Sequence, residues 1–262
     1  MTGSWVSRLA RFGLACRGVV YLVISVLVID LALGRGSGGS GGQADTRGAF
    51  ATIARHRFGH LVVLAIGVGF GCLALWQGAL ALRRTGPASA ARGRLAAAGK
   101  ALIDVALCLS ALAIAARRPT PAGSDQQAVD ITGRVMRHTA GRFVVGAVGI
   151  AIGVAGVTLI AKGLRKRYDV EVRISDVAPS VRRAFETIGG IGMFARGAVV
   201  TLVGYFILQA AVTFNPSRAK GLDGALASLV HDRWGPWLLM AVALGLACFG
   251  LFSLLEARYA RT

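Results

Sequence analysis

Apolar residues along this chain gather into six uninterrupted blocks, at 12–33, 60–82, 96–116, 143–164, 189–213 and 236–256, each flanked by Arg, Gly, Pro or Trp. A block of about twenty residues is what a helix rising ~1.5 Å per residue needs to cross a ~30 Å hydrocarbon layer. A bilayer offers backbone groups no partners, so an isolated apolar run there must be helical, whereas a barrel would show shorter alternating segments. The pattern predicts an all-α polytopic membrane protein with six transmembrane helices in a single membrane domain, 1–262.

The third block is the most polar. It carries Lys100 and Asp104 and relies on Ala where the others have Leu and Val. Their i, i+4 spacing lets the two side chains meet and partly neutralise each other. The first block follows Arg8 and Arg11 and ends near Ala32 and Gly34, which resembles a signal peptide. Its length exceeds the usual 7 to 15 residue signal core and it matches block five, so a retained helix is expected.

Self-similarity organises the rest. Placing Gly13 over Gly99 and Gly192 puts Arg17 over Ile103 and Arg196, Gly18 over Asp104 and Gly197, and Asp30 over Ala116 and Gln209. The even blocks align through Gly71, Gly156 and Gly250, with Gln77, Lys162 and Glu256 six residues on. Each even block then runs into a basic exit: Leu82-Arg83-Arg84, Leu164-Arg165-Lys166-Arg167, and Ala257-Arg258-Tyr259 before Arg261. Three tandem two-helix repeats follow, near 8–84, 95–167 and 188–261. Each has an even number of spans, so all three point the same way, and a pseudo-three-fold arrangement about the membrane normal is expected. Between the two helices of each pair, short amphipathic helices are expected at the interface. Their apolar positions are Leu222, Ala225, Leu226, Leu229 and Val230 in the third copy and Ala49, Phe50 and Ile53 in the first.

The motif Ala10-Arg11-x-Gly13-x-x-x-Arg17-Gly18, its echo Gly192-x-x-x-Arg196-Gly197, and the terminal Leu254-x-Glu256-Ala257-Arg258-Tyr259 resemble an actinobacterial family of six-helix membrane proteins. That family is known as a domain of unknown function repeated three times. The likeness covers nearly the whole chain, and the Ala, Arg and Gly richness suits a high-GC genome. Two departures stand out: the second copy lacks the Arg-Gly pair, and the first carries a flexible GRGSGGSGG linker at 34–42. The resemblance brings no ligand, cofactor or activity with it.

Lys and Arg are more numerous on the side holding the N-terminus, the 83–95 and 165–187 loops and the C-terminus, and they cluster tightly at the exits of the even helices. By the positive-inside bias both termini are expected in the cytoplasm, the protein being multi-pass in the cytoplasmic (inner) membrane. Trp76, Tyr168 and Tyr259 then anchor the inner interface, and Trp234 and Trp237 the outer. The chain has 36 glycines. In lipid, where apolar side chains gain nothing by leaving hydrocarbon, close backbone approach through small residues becomes the adhesive. Gly146, Gly149, Gly153 and Gly156 form one such seam, Gly67 and Gly71 a shorter one, and Gly250 occupies the same column as Gly71 and Gly156.

Candidate chemistry is sparse. Arg17 and Arg196 lie inside spans, where a charge costs about 2.5 to 3.5 kcal/mol at the centre and is a functional candidate by default. Three roles stay open for them: snorkelling to lipid phosphates, an ion pair with Asp104 or another acid, or the lining of a solute pathway. Asp104 shares their repeat level, so a pseudo-three-fold axis brings these charges together. Asp30 and Gln209 share a column near the outer helix ends and line a polar vestibule if they face inward. His56 and His60 are spaced as metal ligands on one helix face, but lack the Glu of a zinc-protease helix. His138 and His231 occupy the same junction in the other copies. Helix-end contacts account for all four, and no metal or cofactor is expected. Cys16, Cys72, Cys108 and Cys248 lie inside apolar blocks and read as small packing residues. The net charge of +18 is spread over both membrane faces, which suits anionic lipid headgroups better than nucleic acid.

The function expected is therefore non-enzymatic: a structural or partner-binding component of the cytoplasmic membrane. A small-solute or ion pathway between the repeats is the alternative, with a membrane enzyme acting on lipids as the second.

Overall fold

The computed structural model describes residues 3–33, 44–54, 59–83, 88–116, 124–138, 140–165, 179–230 and 234–259. The 34–42 linker, His56, His231 and Tyr168 lie outside them. In chain order the helices are α1 (Gly3–Ala32), α2 (Thr46–Ala54), α3 (Gly59–Arg83), α4 (Ala88–Ala115), α5 (Ser124–Met136), α6 (Gly141–Leu164), α7 (Pro179–Thr213), α8 (Leu222–Val230) and α9 (Gly235–Tyr259). Six of them, α1, α3, α4, α6, α7 and α9, are long and apolar enough to cross a membrane. All six apolar blocks are therefore helices, and the three short elements fall where amphipathic helices were expected.

Two of the short helices, α2 and α8, turn their apolar sides inward, whereas Ile131 of α5 is exposed. Ala49 and Phe50 of α2 and Ala225 and Leu226 of α8 are fully buried, so the bundle rather than lipid covers them. Phe50 meets Phe70 of α3 edge to face at 6.2 Å. Asp45 caps α2, its carboxylate accepting from Gly48 N–H at 2.7 Å, which satisfies one donor at an otherwise open helix start.

The spanning helices pack side by side in the order α4, α3, α1, α9, α7, α6, so that α1, α3, α7 and α9 each have two extensive spanning neighbours. Helices α4 and α6 stand at the two ends of this row, and among the described residues each packs extensively on a single spanning neighbour. The consequence is plain in burial: 11% of the α4 span and 17% of the α6 span are buried, against 44–50% for α1, α3 and α9.

Glycine decides how closely neighbours approach. A Cβ on Gly156 would lie 2.8 Å from the Gly197 carbonyl oxygen, and one on Gly18 would lie 2.9 Å from that of Gly250. Both contacts are reciprocal, so α6 against α7 and α1 against α9 touch backbone to backbone. Gly149 repeats the arrangement one step along α6, against Gly204 and Leu208. Gly153 itself has nothing within 4 Å of its own Cβ position, but it gives room to Gly204, whose Cβ would fall 2.5 Å from the Gly153 nitrogen. Gly71 sits differently: the nearest atom its Cβ would meet is Cys108 Sγ, at 3.3 Å.

Candidate functional site

Intramembrane charge collects near one end of the bundle. Arg17 projects from α1 and forms an ion pair with Glu256 of α9, Nη2 to Oε2 at 3.1 Å, with both side chains about a fifth exposed. Its guanidinium also lies 5.5 Å from the centre of the Phe249 ring. The Arg17 Nε is buried without a hydrogen-bond partner.

Arg196 of α7 is held on aromatic faces, 4.9 Å from the Phe249 ring centre and 5.5 Å from that of Tyr21. Those two rings pack edge to face at 4.7 Å, which fixes the platform. A guanidinium over an aromatic face gains from the ring quadrupole while its N–H edge stays available for an acceptor.

Asp104 of α4 is buried and accepts a hydrogen bond from the Gln77 Nε2 of α3. It lies within the electrostatic field of Arg17, Arg196 and Lys100. Arg17 and Arg196 thus both act electrostatically on Asp104. Of the acids open to Arg17, the one it takes is Glu256, across the contact between α1 and α9, rather than Asp104. Lys100 is exposed, and among the described residues no ion pair joins it to Asp104 one turn away.

Asp30 and Gln209 are both half-buried near the far ends of α1 and α7, and these two helices are not extensively packed on one another. His60 borders a groove of about 520 Å³ between α3 and α4, walled by Leu61, Leu64, Leu109 and Leu112. His138 is exposed at the end of α5. Among the described residues no three His, Cys, Asp or Glu side chains are placed to hold a metal ion together. The four cysteines are free; Cys16 is buried where α1 meets Gly69 of α3 and Cys108 lies against Gly71, so both serve as small packing groups.

A second polar cluster, not anticipated from the sequence, lies at the opposite end. Asp223 in the first turn of α8 accepts from the Ala44 N–H at 2.8 Å, and Asp125 in the first turn of α5 accepts from the Gly221 N–H at 2.9 Å. Each carboxylate thereby ties the start of its own short helix to the segment preceding another one. Asp45 and Asp125 both bear on Asp223 electrostatically. Burial pushes the Asp223 carboxyl above its ordinary value, the two neighbouring carboxylates add to the rise, and the Ala44 N–H opposes it. The signal was present as an Asp at the start of every short helix, but short Asp-led helices are common, and only their assembly distinguishes these.

The chain matches the model of the family described as Domain of Unknown Function (DUF1206) over residues 12–84 and 191–260. It is also similar to the uncharacterized protein YxxB of Bacillus subtilis (strain 168), with 26% identity over 262 residues, covering 98% of this chain and 92% of the relative. No solved structure matches the chain. Six apolar spanning helices and a family match covering more than half of the residues lead to one conclusion: this is a multi-pass membrane protein that belongs to the DUF1206 family.

Proposed function

We propose that this chain is a non-enzymatic, partner-binding component of the cytoplasmic membrane, built from three tandem hairpin repeats in a pseudo-three-fold arrangement. The repeat reading is supported by one family model matching two separate stretches, 12–84 and 191–260. It is supported again by equivalent columns meeting at successive contacts: Gly18 with Gly250, Gly197 with Gly156, and Asp104 of α4 with Gln77 of α3, the helix that also carries Gly71. Composition rich in Ala, Arg and Gly supports an actinobacterial type of sequence.

The observation that carries the partner-binding role is the unfinished row of helices. Four spanning helices have an extensive neighbour on each side, while α4 and α6 have one each and are the least buried. The polar groups of the other contacts, Arg17 with Glu256 and Gln77 with Asp104, are engaged in holding helices together. Site-specific photo-crosslinking in intact membranes tests the role. Leu102 on α4 and Ile150 on α6 are expected to give a discrete adduct, while the equally exposed Leu75 and Leu244 on α3 and α9 give only diffuse labelling. Indistinguishable labelling from all four positions overturns it.

Both termini lie in the cytoplasm in this reading, in keeping with the basic exits at Arg83-Arg84 and Arg165-Lys166-Arg167. Reporter fusions at Ser89 and Ser175 are expected to behave as cytoplasmic; a periplasmic reporter active at either reverses the orientation. The second reading, a solute or ion pathway, is favoured by the charges around Asp104. Reconstituted flux lost in both Arg17→Ala and Arg196→Ala establishes that reading in place of the first, and no flux in the parent protein removes it.

A further inference from the structure

Arg196 is an intramembrane cation whose charge the fold leaves unanswered. Among the described residues no carboxylate pairs with it: Glu256 is taken by Arg17 and Asp104 by the Gln77 amide. Snorkelling does not account for its position. An arginine reaching for headgroups extends toward the membrane surface. This guanidinium instead lies over the rings of Phe249 on α9 and Tyr21 on α1, both well inside their spans. A charge held there without an opposite charge is costly, and such positions are kept for function.

The contacts around Arg196 define a trough. Helices α1 and α7 each pack extensively on α9 but not on one another, so α9 forms a floor between two walls. Phe249 is buried in that floor. Arg17 reaches its ring from one wall, at 5.5 Å from the centre, and Arg196 from the other, at 4.9 Å. Two guanidiniums therefore share one ring, and Glu256 pairs with only the first of them. The Arg17 Nε is in addition buried without a hydrogen-bond partner. Two cations, one acid and an unused N–H donor form an arrangement that a bound anion completes. The site is open to a ligand, since the Arg17 and Glu256 side chains are about a fifth exposed and Arg196 is half-buried.

We propose that the trough over α9, between α1 and α7, binds a phosphate group on the guanidinium of Arg196, with Arg17 as the second cation. The planar fork of Arg196 offers parallel N–H donors to two phosphate oxygens, and the Tyr21 and Phe249 rings hold that plane before the ligand arrives. A phosphate has oxygens left over to face Arg17, whereas a carboxylate uses both of its oxygens on one fork. Glu256 competes with the ligand for Arg17 and so sets its affinity. This site goes beyond the partner-binding reading and does not depend on what meets α4 or α6.

The full chain in neutral detergent, at constant ionic strength, is melted with rising sodium phosphate, and separately with phosphatidylglycerol or phosphatidylcholine. The parent is expected to gain melting temperature saturably with phosphate or with phosphatidylglycerol, and not with phosphatidylcholine. A response to phosphate identifies a dissolved anion as the source, and a response to phosphatidylglycerol alone identifies a lipid headgroup. Arg196→Gln is expected to abolish the response. Arg196→Lys keeps the charge but loses the fork, and is expected to raise the half-saturating concentration about tenfold. Glu256→Gln releases Arg17 and is expected to lower that concentration about threefold to tenfold, which a mere loosening of the bundle would not do. These two milder variants decide the matter even if Arg196→Gln does not fold. The proposal is overturned if the parent responds to neither phosphate nor phosphatidylglycerol, or responds equally to phosphatidylcholine. Unchanged half-saturation in both Arg196→Lys and Glu256→Gln overturns it as well. Photo-crosslinking at Leu102 and Ile150 is indifferent to all of these outcomes, so failure of this site and failure of the partner-binding role are separable.

Discussion

The α6–α7 and α3–α4 contacts join consecutive spanning pairs through the same aligned columns, yet they hold by different means. At the first, Gly156 meets Gly197 and two backbones touch. At the second, Gly71 faces a helix whose matching position is Asp104, and a buried hydrogen bond to Gln77 stands where the other contact has bare peptide. In hydrocarbon neither contact gains from hydrophobic burial. The glycine contact collects dispersion over many atoms and tolerates no added volume, whereas the polar contact depends on two side chains and tolerates no lost partner.

The largest effect is expected at the glycine contact. A Cβ on Gly156 would fall 2.3 Å from Thr201 Oγ1 and 2.6 Å from its backbone nitrogen, so Gly156→Ala forces the helices apart at a cost of about 1–3 kcal/mol. Gly71→Ala, with 3.3 Å of clearance to a side-chain sulfur, is the matched control and is expected to be close to neutral. Melting temperatures of both variants in the same detergent compare them; equal losses would erase the distinction. Next comes the polar contact, where Asp104→Leu strands the buried Gln77 amide at a cost of about 1–3 kcal/mol. Asp104→Asn with Gln77 intact recovers most of that stability, and a Gln77→Leu partner variant, scored as a double-mutant cycle, isolates the coupling.

The ion pair of Arg17 with Glu256 sits across a third contact, on the partly exposed side of a glycine seam. Its coupling in a double-mutant cycle of alanine variants is expected to be about 0.2–1 kcal/mol, reduced further by added salt. No coupling at low salt would reduce the pair to coincidence.

The smallest expected effect is at the opposite end and concerns pH. The Asp223 carboxyl titrates above its ordinary value in the folded chain, so folding favours its protonated form. That contribution is complete below the unfolded-state value and fades as pH rises through the folded-state value. Asp223→Asn keeps an oxygen for the Ala44 N–H and removes the titration. Melting between about pH 4 and 7 is expected to show a flatter pH dependence in the variant and no loss at neutral pH. Parallel curves would dismiss Asp223 as the source.

How much of this was legible depended on range. Arg17, Asp104 and Arg196 stand out in the sequence because each is a charge inside an apolar block. That Arg17 takes Glu256 could not be read there, since the choice turns on which helix lies beside α1, and nothing local distinguishes α9 from α4. Lys100 and Asp104 mislead for the same reason: their spacing on one helix permits a pair, but Gln77 on a neighbouring helix competes and wins. The aspartates at the short helices were hidden because each looks like an ordinary helix start until its carboxylate reaches the chain before another short helix.

The sequence by itself determined the six spans and their boundaries within several residues. Transfer into hydrocarbon depends on some twenty consecutive side chains, and these are adjacent in the chain. The tertiary structure alone decided the order of helices, the partners of the buried polar groups and the open edge at α4 and α6. Helix association in lipid turns on sub-ångström clearances and single hydrogen bonds between distant residues, and no local pattern encodes them.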